Sequence, residues 1–323
     1  MTPYKIVFLI VCLLLGASSF SQKAPPTAAL QNAHYTLSWN AANMQSFTYS
    51  LKKGKAQWTV NLPSFEIDGK KVTAVLNGLK PASPPATLKN GVTEYNYEGA
   101  FAGEKNLRLG ITFQTAPENP VLRFHYTLKS AQPLKLTKRN EKDNITYLSF
   151  TAATPQVKEV RLSEFNERFH ATNKTEYVLD ERYFTNNSSF MGPIAVTTQG
   201  TNTFLVAYEH GSQFPNRFLE FRLNNNRNIS LQSVKGNYLD HQAADGFQSV
   251  WFQVAGVGGD EDVLAEGYRT YILNYLTQNA ESRKPYIFYN TWGRQERVQW
   301  TGQKYLSSMN LDQTLKEIDR AHA

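Results

Sequence analysis

Glu164, Glu167 and His170 crowd one short stretch of the sequence, and Glu209 stands beside His210. Such groups move protons when burial or a charged neighbour brings their pKa near the working pH. Here neither pairing carries a spacing that marks a site. His34, His125, His170, His210, His241 and His322 show no metal-binding pattern of the His-Glu-x-x-His kind, so structural or surface roles are expected for all of them. Asp260-Glu261-Asp262 offers oxygen ligands but lacks the full loop and glycine of a calcium site, and reads as a charged helix start. Gly256-Val257-Gly258-Gly259 reads as a glycine-rich turn before that helix. No Gly-Lys-Ser/Thr follows it, which argues against a phosphate cradle. The residues therefore call for no metal and no cofactor.

Cys12 is the single cysteine, and it lies in an N-terminal stretch with the marks of a signal peptide. Lys5 supplies the positive charge, Ile6 to Leu15 run apolar, and Ser19-Phe20-Ser21 places small residues before Gln22. The run is shorter than the ~20 apolar residues that span a bilayer. Cleavage after residue 21 is expected, giving an exported chain, periplasmic or extracellular, with no cysteine and no membrane attachment. The chain has 323 residues and a formal net charge of +7. Its lysines and arginines are scattered, and the longest basic runs are pairs such as Lys52-Lys53 and Lys70-Lys71. A nucleic-acid binder concentrates its charge on one face or stripe, so no nucleic-acid partner is expected.

These residues must be positioned by a β-rich scaffold. From Ala33 to about Val254, short alternating runs are separated by Gly, Asn, Pro and Lys-rich turns. Side chains in a strand alternate between faces, so each run is expected to bury one face and wet the other. Ser64 to Ile67 and Lys70 to Thr73, joined by Asp68-Gly69, read as a tight hairpin. So many strands with no helical pattern between them make a large antiparallel sandwich, expected over residues 22–259. Asp260 then opens a helical run through Leu276, and residues 260–284 read as a linking helix and linker. Pro285-Tyr286-Ile287-Phe288-Tyr289 does not alternate, as expected of a strand buried on both faces of a parallel sheet. After a long loop, Asn310 with Gln313 forms a capping box, and Leu311, Leu315 and Ile318 give the following helix one apolar stripe. Residues 285–323 thus read as one β/α unit whose parallel neighbours are missing, and truncation is the preferred explanation over an odd tail packed on the sandwich.

The C-terminal segment resembles a known family. Tyr289-Asn290-Thr291-Trp292-Gly293, followed by Asn310-Leu311-Asp312 and Ile318-Asp319-Arg320-Ala321-His322, is similar to the first β/α unit of clan-D glycoside hydrolases, and most of all to family 36, the α-galactosidase and raffinose-synthase group. The resemblance implies an N-terminal β-supersandwich, a linking helix and the first unit of a truncated (β/α)8 barrel. It also implies a retaining hydrolase of terminal α-galactosides in the full-length parent. Both family carboxyls are aspartates on later barrel strands, so no catalytic residue is carried over. Carried over as substrate-binding residues are Trp292, whose indole would pack against the C–H side of a pyranose, and Asn290, which would bond a hydroxyl or pin the loop. Gly293 stands where some members carry Glu. Family members often assemble through the sandwich, so a homo-oligomer is implied. Two further readings stand beside this one: a carbohydrate-binding sandwich without catalysis, and a purely structural exported sandwich.

Overall fold

The computed structural model describes residues 27–137, 145–152, 157–160, 164–166, 171–173, 176–179, 189–190, 192–209, 219–224, 226–233, 243–277, 279, 281, 284 and 311–322. The chain divides into two compact units, Met1–Leu276 and Thr277–Ala323.

Among the described residues of the first unit, the strands form a ten-stranded sheet, an eleven-stranded sheet and a separate two-stranded hairpin. The first sheet runs Thr27–Gln31, Tyr35–Asn40, Ser46–Leu51, Gln57–Asn61, Thr146–Thr151, Asn228–Ser233, Leu219–Leu223 and Ser189–Phe190, with the hairpin Ser64–Ile67/Lys70–Thr73 attached to Thr146–Thr151. The second runs Glu176–Leu179, Val157–Val160, Ile194–Gln199, Asn202–Tyr208, Phe252–Gly258, Val121–Ser130, Glu104–Thr115, Thr93–Phe101, Leu76–Pro81 and Asn43–Met44, with Ala86–Thr87 beside Thr93–Phe101. Neighbours in both sheets pair antiparallel, as the alternating runs predict. At the Asp68-Gly69 turn both residues have positive φ, 47° and 76°, which suits the right-handed twist of the flanking strands.

The two sheets face each other across one aromatic core. Trp58 of the first sheet stacks on Phe204 of the second at 4.4 Å, Phe47 meets Phe124 edge-on at 5.2 Å, and Tyr147 lies 5.3 Å from Phe252. Each such pair adds about 1 kcal/mol beyond the burial of its area. The strand Tyr35–Asn40 of the first sheet keeps strict alternation: Tyr35, Leu37 and Trp39 are buried, and Thr36, Ser38 and Asn40 are half-exposed. The centre of the second sheet does not. Thr203 to Tyr208 and Phe252 to Val257 are buried on both faces.

The reason is a helix laid over the outer face of that sheet. Helix α1 spans Glu261–Tyr271 and continues as one π-helical turn, Ile272–Leu276. The Asp260 side chain caps it by accepting the Val263 N–H at 3.2 Å, and Glu261 and Asp262 sit at the positive end of its dipole. Leu264 and Tyr271 are buried against Val121, Leu205, Ala207 and Ala255 of the sheet. Gly267 faces Pro120, where a Cβ would lie 3.1 Å from the proline ring, and its carbonyl accepts the Asn119 amide at 2.9 Å.

One expectation is overturned. Gly256-Val257-Gly258 is not a turn but the end of the strand Phe252–Gly258. Glycine at 256 marks a close approach, since a Cβ there would stand 2.7 Å from the Trp58 ring.

In the second unit, helix α2 spans Leu311–His322. Leu311, Leu315 and Ile318 form the expected stripe, and all three are exposed. The expected strand Pro285–Tyr289 lies outside the described residues, as does the expected signal segment.

Candidate functional site

The outer face of the second sheet changes chemistry along its strands, and the part beyond helix α1 gathers polar side chains into ranks, of which Gln114, His125 and Gln253 are buried. Strand register sets the ranks. Glu94 is opposite Gln114, Gln114 opposite Arg123, and Arg123 opposite Gln253. One step along, Asn96 is opposite Thr112 and Thr112 opposite His125, whose ring meets Trp251 at 4.1 Å. A further step brings Glu98, Gly110 and Thr127 into line. All these residues share one face because side chains two apart in a strand point the same way.

The first rank is tied end to end by hydrogen bonds. The Arg123 guanidinium grips both carboxylate oxygens of Glu209, Nε to Oε1 at 2.6 Å and Nη2 to Oε2 at 2.7 Å. Its Nη1 donates to Gln114 Oε1 at 2.9 Å, and Gln114 Nε2 donates to Glu94 Oε2 at 2.8 Å. Gln253 Nε2 adds a bond to Glu209 Oε1 at 2.8 Å. The Trp251 ring lies 3.7 Å from the guanidinium carbon, so Arg123 is held by a cation–π contact as well. In the second rank, Thr112 Oγ1 donates to Asn96 Oδ1 at 2.7 Å.

His125 is 8% exposed, and its Nδ1 has no hydrogen-bond partner. Burial drives its pKa down to about 4; the nearby Arg123 charge lowers it too, while the Tyr126 backbone, Glu94 and Glu209 pull the other way. It is therefore neutral at physiological pH. Tyr268 and Tyr271 of α1 are pushed above the ordinary phenol value, chiefly by burial.

What can this arrangement do? It holds no activated nucleophile among the described residues. Glu209 accepts hydrogen bonds from Arg123 and Gln253 on its carboxylate oxygens. Gln114 and Arg123 stand between the carboxylates of Glu94 and Glu209, each bonded to one of them, so the two do not flank a common open space as a glycosidase pair does. The face presents carboxylate and amide edges, hydroxyls and one partly exposed indole. That set suits a polyhydroxylated ligand, in which each hydroxyl both donates and accepts.

Of the residues the sequence pointed to, Trp292 and Asn290 lie outside the described residues, as do Glu167, His170, His210 and His241. Only the backbone of Glu164 is described, in the strand Glu164–Asn166. Glu209 belongs to the polar face and pairs there with Arg123. Asp260 to Asp262 form a helix start, and among the described residues no cluster of metal-ligating side chains occurs. Arg123, Gln114, Glu94, Gln253 and Trp251 escaped sequence reading. Alternation places Arg123 and His125 on one face, but nothing local tells which distant strand supplies Glu209.

No family model matches the sequence, and no curated protein matches it significantly. Solved structures do match. The chain is similar in fold to GH36 α-galactosidases. A variant of AgaA from Geobacillus stearothermophilus bound to 1-deoxygalactonojirimycin superposes with a TM-score of 0.53 at 7% identity, covering 79% of this chain and 44% of that one. A second AgaA variant, in complex with stachyose, gives 0.54 at 9% identity over 84% and 47%. AgaB from the same organism gives 0.50 at 9% identity over 76% and 42%. The chain thus spans less than half the length of these structures.

Proposed function

We propose that the chain is the N-terminal part of an exported glycoside hydrolase of the α-galactosidase type, in which a sandwich and linking helix precede a catalytic barrel. The observation that carries this reading is the fold likeness: GH36 α-galactosidases match over 76 to 84% of this chain but only 42 to 47% of their own. A retaining hydrolase of terminal α-galactosides needs a nucleophile and an acid/base carboxyl roughly 5 Å apart. In this reading both belong to the barrel, beyond the residues of this chain. Trp292 and Asn290 would line the sugar pocket at the end of the first barrel strand, where active sites of such barrels lie.

The test is hydrolysis of a chromogenic α-galactoside by the purified chain, beside a form extended through the downstream reading frame. Turnover by the extended form alone is expected. Turnover by the 323-residue chain would place the chemistry in the sandwich and sink the assignment of roles. Silence from both would shift weight to a second reading, a non-catalytic carbohydrate-binding module. That reading is favoured by the polar ranks that include the partly exposed Asn96, Thr112 and Trp251, and binding of α-galactosides by the 323-residue chain alone would support it.

A further inference from the structure

Lys80, Arg108 and Lys129 are far apart in sequence but converge on one cleft of about 470 Å³ at the end of the polar face. The register explains why. Lys80 stands opposite Glu98 on the neighbouring strand, and Arg108 stands directly opposite Lys129. Like charges placed opposite one another across a strand pair cost stability, so two facing cations are not what folding alone selects. Glu98 answers both, accepting from Arg108 Nη1 at 2.9 Å and from Lys129 Nζ at 2.5 Å. Those bonds, Lys129's first, hold the Glu98 carboxyl below its usual range, so it is ionised at neutral pH.

One carboxylate does not balance three cations. Lys80 forms no ion pair among the described residues. Arg108 and Lys129 keep 61% and 60% of their side chains exposed, leaving most of their donors to solvent. Beside them Gly110 lies between Glu98 and Thr127, and Thr127 Oγ1 packs over it, 2.3 Å from where a Cβ would stand. A concave, cationic end therefore opens onto ranks of amides and hydroxyls: Asn96, Thr112 and Thr127.

We propose that this cleft binds the oxyanion group, carboxylate or sulfate, of an acidic saccharide whose hydroxyls lie along the adjoining polar ranks. The proposal does not depend on the hydrolase reading. Charge-assisted bonds from Lys80, Arg108 and Lys129 to the anion would supply the selectivity.

The test is isothermal titration of the full chain at low ionic strength with an oligogalacturonate, a sulfated galactan oligosaccharide, a neutral galactan oligosaccharide and inorganic sulfate. At least one acidic oligosaccharide is expected to bind, and the neutral one and free sulfate to bind at least about tenfold more weakly. Preference for the uronate or for the sulfated chain identifies which oxyanion the cleft takes. K80Q and K129Q should each weaken binding about tenfold, while K105Q, an exposed lysine outside the cleft, should not. E98Q should tighten binding by removing the competing carboxylate. A merely structural ion pair predicts no such gain. Equal binding of neutral and acidic chains, binding by sulfate alone, equal loss in K105Q, or no binding at all would each overturn the proposal. None of these outcomes touches the α-galactoside assay, so the two readings fail separately.

Discussion

The outer face of the second sheet holds two regions made from the same strands. Along Val121–Ser130, Val121 lies beneath helix α1, while Arg123 and His125 join the polar ranks. Along Phe252–Gly258, Ala255 and Val257 are covered and Gln253 carries a hydrogen bond to Glu209. Asn202–Tyr208 contributes Leu205 and Ala207 to the covered region, and Glu209 follows at its end in the polar one. A single face thus switches chemistry within two residues. The helix sets the border. Where α1 supplies Leu264 and Tyr271, apolar side chains are shielded and pack; where it does not reach, polar groups satisfy one another across strands.

Removing the helix's anchor should give the largest effect. Leu264→Ala deletes a side chain that is 2% exposed, and about 3 to 4 kcal/mol of stability should disappear in urea unfolding at neutral pH. If the loss is below about 1 kcal/mol, the helix rests loosely on the sheet and the border has another cause.

The polar region should respond to acid instead. The folded pKa of His125 is depressed to about 4, against about 6.5 in an unfolded chain. Above pH ~6.5 both states are neutral and stability is unaffected. Between there and pH ~4 the unfolded state binds the extra proton, so stability falls as pH falls, by on the order of 3 kcal/mol in all. H125Q should flatten that limb of the profile. A profile unchanged by H125Q would show that His125 is hydrated and outside the packed part of the face.

Arg123→Met should cost about 2 kcal/mol, because Glu209 then keeps a half-buried charge with only Gln253 to answer it. The double variant R123M/E209Q should recover most of that loss, since it removes the orphaned charge along with its partner. Equal losses in single and double variants would mean that stacking on Trp251, not the ion pair, is what Arg123 supplies.

How much of this was legible beforehand follows the range of each interaction. The Asp68-Gly69 hairpin, the acid-led start of α1 and the alternating strands are local, and the sequence states them directly. The sandwich class follows from their number. The polar ranks depend on which strands become neighbours, and Arg123 and Glu209 are 86 residues apart. No window along the chain joins them. The same blindness made the basic residues look scattered, although Lys80, Arg108 and Lys129 share a cleft. At Gly256 the error ran the other way. A glycine cluster before a helix looks like a turn, but what selects it is the Trp58 ring on the opposite sheet. Trp292 and Asn290 rest on the family resemblance alone.

That glycine has a consequence for how the protein can be watched. Trp58 and Tyr49 press on the backbone at Gly256, and the Tyr49 hydroxyl accepts its N–H at 3.2 Å while donating to the Pro120 carbonyl at 2.7 Å. Two chromophores are thus clamped rigidly at the seam between the sheets. Rigid aromatic packing of this kind produces near-ultraviolet circular dichroism that vanishes when side chains loosen, even while strands persist. The seam carries its own optical gauge, and parting of the sheets can be followed by light with no label attached.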